Sequence, residues 1–507
     1  MQHPIPLVKY ASAVSLAAMM LLAGCGSGSN GMLTNTTGAG GSGSSTAAPM
    51  VLTVSDAPLG NILSARVTIS SVSVSTGATG ATPVSVLTNP VTVELSGLGA
   101  VQEPIEFSSL ANGTYNSVTL TISAATVVYT NANGVVTTAT ATLSNPTVTV
   151  ALSPALTVNS TGEVQLQLAF NLAQSFSISG STVTFTPAIN TMGAQVGSEN
   201  PGDRQVEVNG SVVSISATSI VVQSGDSGKQ FTFTVNSSTQ LPSGVALNSI
   251  LPGAIVQVMG QTQTDGTILA TSITLTSNAS SSGQDQNGAK GIILTVNSSG
   301  GVVSSFTMLP RESFGSGMAN TNGALTVNLS PSTTYALPED AINAGLTATS
   351  FGTADLFPGE SVTVSGPASA SASGSAPALN ATQVMLAAES IPATLGSTPT
   401  GTSPNYSFSL NIAVPSFLTT YGNLVTLNAM TSSATEYGNG MTESSFVALA
   451  TGANIEVHGY LLQTSPGVFE LYTTKVAQIE APETPESGDG GSGSGSSSDG
   501  GSSSGGM

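Results

Sequence analysis

A nine-residue phrase returns three times in the second half of the chain: PGAIVQVMG at 252–260, PGESVTVSG at 358–366 and TGANIEVHG at 451–459. Each copy has Gly in the second slot, Ile or Val in the fifth, Val in the seventh and Gly in the ninth. Apolar residues two apart between glycines describe a short strand whose fifth and seventh side chains face inward. The glycines then stand where the chain bends sharply or passes close to another backbone. The surroundings recur as well. A Ser/Thr-rich corner precedes every copy, as in NSSTQ at 236–240, and a strand of the form (Ala/Thr)-Thr-x-(Ile/Val) follows it, as in ATSI, ATQV and TTKV. Corner, phrase and closing strand in one order are an internal repeat, so this part of the chain must fold as copies of one small β module.

The rest of the body is β-rich too. Helical periodicity is weak, and period-two runs such as NSVTLTIS (116–123), PTVTVALS (146–153) and EVQLQLAFNL (163–172) are separated by Gly, Asn and Pro clusters. In ARVTISSVSVS (65–75) the alternation shifts at Ser70-Ser71, the mark of a bulge. Asp265-Gly266 between two alternating runs marks a hairpin. Many short strands with regular turn signals give an all-β fold class, sandwiches or small barrels.

The ends read differently. Residues 1–24 carry Lys9, an apolar run from Ala11 to Ala23 and small residues at its end, the layout of a secretory signal. Leu22-Ala23-Gly24-Cys25 resembles the lipobox of bacterial lipoproteins. That resemblance implies cleavage before Cys25, lipidation of Cys25 and, with Gly rather than Asp at 26, delivery to the outer membrane. Each buried acyl methylene is worth about 0.8 kcal/mol, so two or three chains hold firmly. Cys25 is the only cysteine, so a lipidated chain has no thiol left for a disulfide, a metal or a nucleophile. Residues 25–48 read as a Gly/Ser tether and 483–507 as a disordered tail. The tail contains Gly491-Ser492-Gly493-Ser494-Gly495, a formal nucleophile-elbow match without the required strand and helix around it.

Between the ends, the expected modules are a β-sandwich at 49–195, a β-barrel-like repeat at 205–278, and degenerate repeats at 288–390 and 393–482. The first resembles the family called domain of unknown function 4382, through Ser55-Asp56-Ala57-Pro58, Leu110-x-x-Gly113-x-Tyr115 and the closing FTPAI. The resemblance implies a prealbumin-like β-sandwich and no established activity. The second, through Gly210, NSSTQ, the phrase and ILATSITL, resembles domain of unknown function 5666, a small β-barrel-like module.

Composition narrows the function. Seven Lys and Arg against 26 Asp and Glu give a net charge of −19, which opposes binding to nucleic acid and to anionic lipid, so a membrane link has to be the lipid on Cys25. Trp is absent and aromatic residues are 5%, which disfavours a dedicated carbohydrate platform. Candidate residues are few. Asp56 reads as a turn cap, since a Ca²⁺ site needs about six oxygens. Tyr115 reads as a hydroxyl on a neighbouring backbone, as in a tyrosine corner. His458, with Glu456 on the same strand face, reads as an exposed strand residue. Arg311-Glu312 and Glu339-Asp340 read as solvated loop charges, and Glu199, Asp203 and Glu207 as a solvated linker around Pro201-Gly202.

No catalytic, cofactor-binding or metal-binding set is assigned. The expectation is a non-enzymatic cell-envelope lipoprotein, facing the periplasm or the cell surface, with a structural, adhesive or binding role towards an envelope protein or surface polymer. A carboxylate-based hydrolase or glycan-processing enzyme is the alternative. Fibre assembly through exposed sheet edges is a third reading.

Overall fold

Alternation is converted directly into burial along strand Ile62–Ser75, where Val67, Ile69, Val72 and Val74 are inside and Arg66, Thr68 and Ser73 are not. The computed structural model describes residues 47–478, less 58–60, 79, 99–100, 132–133, 160–161, 196–203, 279–286, 300–301, 316–317, 319–322, 348–350, 370–376, 413–415, 439 and 466. Cys25, both flanks, Glu199 and Asp203 lie outside the described residues, as does most of the insertion PASASASGSAP (367–377). Nearly all regular structure is strand, as expected. No helix among the described residues is long and apolar enough to cross a membrane.

The first module is a sandwich of two main sheets, with a small third sheet of Phe176–Ser179, Thr182–Phe185 and Thr142–Leu143 packed on the same core. One sheet runs Ile189–Gln195, Val164–Asn171, Ala47–Ala57, Glu103–Ala111. The other is centred on Ile62–Ser75 and Gly113–Thr130, with Val84–Ser85 and Val91–Glu94 on the former, and Val136–Thr140 and Thr147–Val158 on the latter. Met50, Leu52, Leu166 and Leu168 from one sheet meet Val67, Ile69, Val118 and Leu120 from the other in one core. The ladder between the two central strands slips between Ile69 and Ser71, where the sequence pattern shifts. The Tyr115 hydroxyl donates to the Ala111 carbonyl at 3.0 Å, tying the start of its strand to the strand before it.

The second module is a closed barrel of Gln205–Ile215, Ser219–Ser224, Gln230–Thr234, Ile268–Ser277 and Ile255–Thr262. All neighbours are antiparallel except the third strand against the closing strand, Phe233 beside Ile268. The hairpin at Asp265-Gly266 forms, with Gly266 at φ +86° and Asp265 accepting from the Thr267 amide.

The other two copies of the phrase lie in the same pairing pattern. In the last copy, Glu389–Leu395 pairs with both Asn405–Ile412 and the phrase strand Asn454–Ser465. Thr426–Met430 then runs parallel to the closing strand Val468–Gln478. In the middle copy, Gly288–Ser299 pairs with Val302–Phe314 and with the phrase strand Ser361–Ser365. Its closing strand is split into Ala378–Asn380 and Gln383–Leu386, and the first piece runs parallel to Leu325–Asn328. Sheet pairing changes hands between Leu386 and Glu389, so Glu389 opens the last copy.

The roles of the phrase residues are now visible. The fifth and seventh slots, Val256 and Val258, Val362 and Val364, Ile455 and Val457, are all inside their own modules. The second-slot glycines sit at φ +86°, +100° and +89° (Gly253, Gly359, Gly452), a region costly for a residue with a Cβ. Their amides donate to Val212, Ile293 and Leu395 of the opening strand at 2.7, 2.8 and 2.8 Å. The ninth-slot glycines press on the closing strand: a Cβ would fall 3.0 Å from the Leu269 carbonyl oxygen at Gly260, 2.1 Å from that of Asn380 at Gly366, and 2.3 Å from that of Tyr472 at Gly459.

The corner has its own constant. Thr239, Thr333 and Thr435 each accept from the amide three residues back, on Asn236, Ser330 and Ser432. Each also donates to the closing strand, at Ala270, Ala381 and Thr473, at 2.7, 2.8 and 2.7 Å. One threonine hydroxyl therefore makes the turn and staples it to the barrel wall.

Candidate functional site at the charged junction

In an isolated barrel the sixth and eighth slots of the phrase would face water. Here Gln257 and Met259, Thr363 and Ser365, and Glu456 and His458 are all buried, because neighbouring modules cover them. The same holds for the strand that opens each copy, whose outer face carries Glu207 and Asn209 in the first, Lys290 in the second and Ser390 in the third. A chain with only 7% charged residues concentrates many of its charges at these contacts.

Lys290 lies with its Nζ 2.7 Å from Glu207 of the preceding barrel and 3.8 Å from Glu312 on its own hairpin. Burial works against both members of the first pair, but their attraction wins: Glu207 is brought down to about 2 and the Lys290 ammonium is held above its usual range. Asn209 Nδ2 donates to Glu207 at 2.7 Å and to Glu312 at 3.3 Å. Glu312 has the opposite fate from Glu207. Burial raises it, and although Lys290 pulls it down, Asp226, Glu207 and Glu94 push it up again to about 8.

Arg311 ties three modules. Its Nε donates to the Leu63 carbonyl of the sandwich at 3.0 Å, and its Nη1 lies 3.4 Å from both carboxylate oxygens of Glu389. Arg66 of the sandwich donates to the Arg311 carbonyl. On the sandwich side, Glu94 accepts from the Ala65 amide at 2.8 Å and from the Ser96 hydroxyl at 2.6 Å, and its own amide donates to Asp226 of the first barrel at 2.6 Å. Ser224 Oγ lies 2.9 Å from both Glu103 and Asp226. Burial first, and Asp226 second, push Glu103 well above the usual carboxylate range. Lys229 and Glu106 add a further cross-module pair at 2.6 Å.

A cavity of about 20 Å³ opens among Glu94, Glu103, Glu207, Asp226, Lys290 and Glu312. That is space on the order of one water molecule. The arrangement sets carboxyls held neutral and a carboxyl held ionised side by side around that space. No group of three or more His, Cys, Asp or Glu able to hold a metal occurs among the described residues.

Several sequence expectations are corrected here. His458 is buried, not exposed: its Nδ1 lies 2.8 Å from Ser390 Oγ, and burial brings its pKa down to about 4, so the ring is neutral. Arg311 and Glu312 lie in a strand, and Arg311 is buried rather than solvated. Glu207 is not a linker residue but a buried ion-pair partner in the first barrel strand. Glu339 and Asp340 open the short helix Glu339–Asn343 rather than a loop, and Asp340 is not a solvated charge: it accepts from the buried Tyr460 of the next module at 2.5 Å, and burial raises it to about 6. The physical reason is common to all. Periodicity tells which face of a strand is outside its own sheet, but not whether a neighbouring module covers that face. The Asp56 side chain lies outside the described side chains.

Lys290 and the corner threonines were not singled out by pattern. The available signal was scarcity, since any lysine on a strand of so charge-poor a chain stands out. No curated protein matches the sequence. Family models match two of the modules: residues 47–187 match Domain of unknown function (DUF4382), and residues 209–274 match Domain of unknown function (DUF5666). The sandwich is thus a member of the first family and the first barrel a member of the second.

Proposed function

We propose that this protein is a non-enzymatic lipoprotein of the cell envelope, anchored through Cys25, in which the β modules act as one stiff, tethered body with a structural, adhesive or binding role. The supporting observation is where the charges go. Lys229, Lys290 and Arg311 each pair with a carboxylate of another module. The groups from which acid–base or nucleophilic sites are built are thereby spent on holding modules together. The surface left to solvent is dominated by Ser, Thr, Asn and Gln, suited to contact with a polymer or a partner protein through hydrogen bonds.

Two measurements test the reading. Metabolic labelling with a fatty acid should mark the wild-type chain and not the Cys25→Ser variant; equal labelling removes the anchor. Protease added to intact cells separates the two faces. Degradation of residues 49–482 on intact cells favours adhesion at the surface, and protection until lysis favours an envelope partner in the periplasm. A carboxylate hydrolase is the second reading, favoured by the raised Glu103 and Glu312 beside one cavity. Turnover of a glycan or ester that disappears in Glu312→Gln would establish it.

A further inference from the structure

The contact between the first and second barrels holds an unusual set of neighbours. Asn209 and Lys290 occupy equivalent positions on the opening strands of adjacent modules, opposite the sixth slot of each phrase, Gln257 and Thr363. The Lys290 Nζ and the Asn209 Nδ2 each lie 2.7 Å from the same oxygen, Glu207 Oε1. Both also approach the same oxygen of Glu312, at 3.8 and 3.3 Å. An amine and a carboxamide from two modules are thus bracketed by the same two carboxyl groups, in a largely buried site beside a water-sized cavity.

We propose that Lys290 and Asn209 form an intramolecular isopeptide bond that covalently joins the first barrel to the second. The Nζ of Lys290 attacks Cγ of Asn209, the new bond is Nζ–Cγ, and the bond that breaks is Cγ–Nδ2. The ammonium of Lys290 gives up two protons in becoming an amide nitrogen. Nδ2 gains two in leaving as ammonium. Glu207 accepts from Nζ across its 2.7 Å contact, and Glu312 supplies the departing nitrogen. Each carboxyl returns to its starting state once the protons taken up by Glu207 have passed on to Glu312, so that two protons move in all from Nζ to Nδ2, and no oxidant, reductant or further reactant is needed. The charges are suited to this division, since Glu207 is held ionised and Glu312 is held protonated near neutral pH. The obstacle is the resting ammonium, so the step waits on a proton hop within the Lys290–Glu207 pair, and the bond should form slowly after folding. A chain whose single cysteine stands at position 25 has no disulfide with which to make such a joint.

Intact-mass and peptide mass spectrometry of the full chain, incubated at neutral pH after purification, test the inference. The expected result is loss of one ammonia, with tryptic cleavage blocked after Lys290 and the peptide beginning at Gln205 found covalently linked to the one containing Lys290. Asn209 is followed by Gly210, and a succinimide formed there also loses ammonia, so the linked peptide, not the mass alone, is decisive. Lys290→Met and Asn209→Ala should abolish the link, and Glu312→Gln should slow it at least tenfold. Because the wild-type chain is itself informative, variants that fail to fold do not obscure the result. An unchanged mass, free cleavage after Lys290, an ammonia loss confined to a succinimide at Asn209, or conversion of Asn209 to isoaspartate with no linked peptide would each overturn the proposal.

Discussion

Val206 and Val208 point into the first barrel; Glu207 and Asn209, between and beside them on the same strand, point out of it. The interior that receives the valines is made with Ile220, Val222, Phe231 and Phe233 and contains no charge. The junction that receives the others contains Lys290, Glu312, Glu103 and Asp226. Apolar burial is non-directional and tolerates substitution by volume, so it specifies that a module folds. Buried ion pairs contribute little net stability, yet they penalise any arrangement that leaves a charge unmatched. The comparison teaches that the barrels are made by their interiors and that their mutual placement is selected by their charged outer faces.

Removing one member from the interior and one from the junction separates their roles. Arg311→Met leaves Glu389 buried without its partner and is expected to cost about 3–5 kcal/mol. Phe233→Ala in the barrel interior is expected to cost a similar amount, about 3–5 kcal/mol. The two should differ in hydrogen exchange. The arginine variant should lose protection where modules meet while each ladder stays protected, and the phenylalanine variant should lose protection within strands Ser219–Ser224 and Gln230–Thr234. Identical exchange patterns would show that interior and junction are one cooperative unit.

Acidity sharpens the same contrast. Glu103 and Glu312 bind protons more tightly in the folded chain than in the unfolded one. Their contribution is therefore full below the ordinary carboxylate range and is lost as pH rises, for Glu312 through about 8. Glu207 has the opposite sign: its contribution is present above the ordinary range and is lost as pH falls towards about 2. His458, neutral when folded, loses stability as pH falls from the usual histidine range to about 4. The free energy of unfolding read from denaturant titrations should fall on the alkaline side between roughly pH 5 and 8, by about 1.4 kcal/mol per pH unit for each such carboxyl. The double variant Glu103→Gln, Glu312→Gln should make that limb shallower, leaving the part that the raised carboxyls Asp340 and Glu360 contribute with the same sign. A slope unchanged by the double variant would place the alkaline titration elsewhere.

Smaller effects belong to the repeat itself. Gly459→Ala forces a Cβ towards the Tyr472 carbonyl and should cost about 1–3 kcal/mol in thermal melts. Thr435→Val removes the hydroxyl that joins corner to closing strand and should cost about 0.5–1.5 kcal/mol. Thr149→Ala, on the outer face of the sandwich, should stay within about 0.5 kcal/mol of wild type.

Much of the fold was legible without coordinates. The alternation in 65–75 located both a strand and its bulge, and the glycines of the phrase announced a bend and a close approach that turn out to be a positive φ at Gly253, Gly359 and Gly452 and a crowded backbone at Gly260, Gly366 and Gly459. These are local demands, met by two or three residues, so they leave a local trace. The order corner, phrase, closing strand likewise recurs as one strand-pairing pattern, closed into a barrel in the first copy. The fate of the outward faces is set by how the modules pack. Glu207, Arg311, Glu312 and His458 look like solvated strand or loop residues in sequence because their partners lie tens to hundreds of residues away. No period in the chain records that Lys290 meets Glu207 or that Arg311 reaches Leu63. Burial of a charge is a property of the packed modules together, and it becomes determinate only when they close on one another.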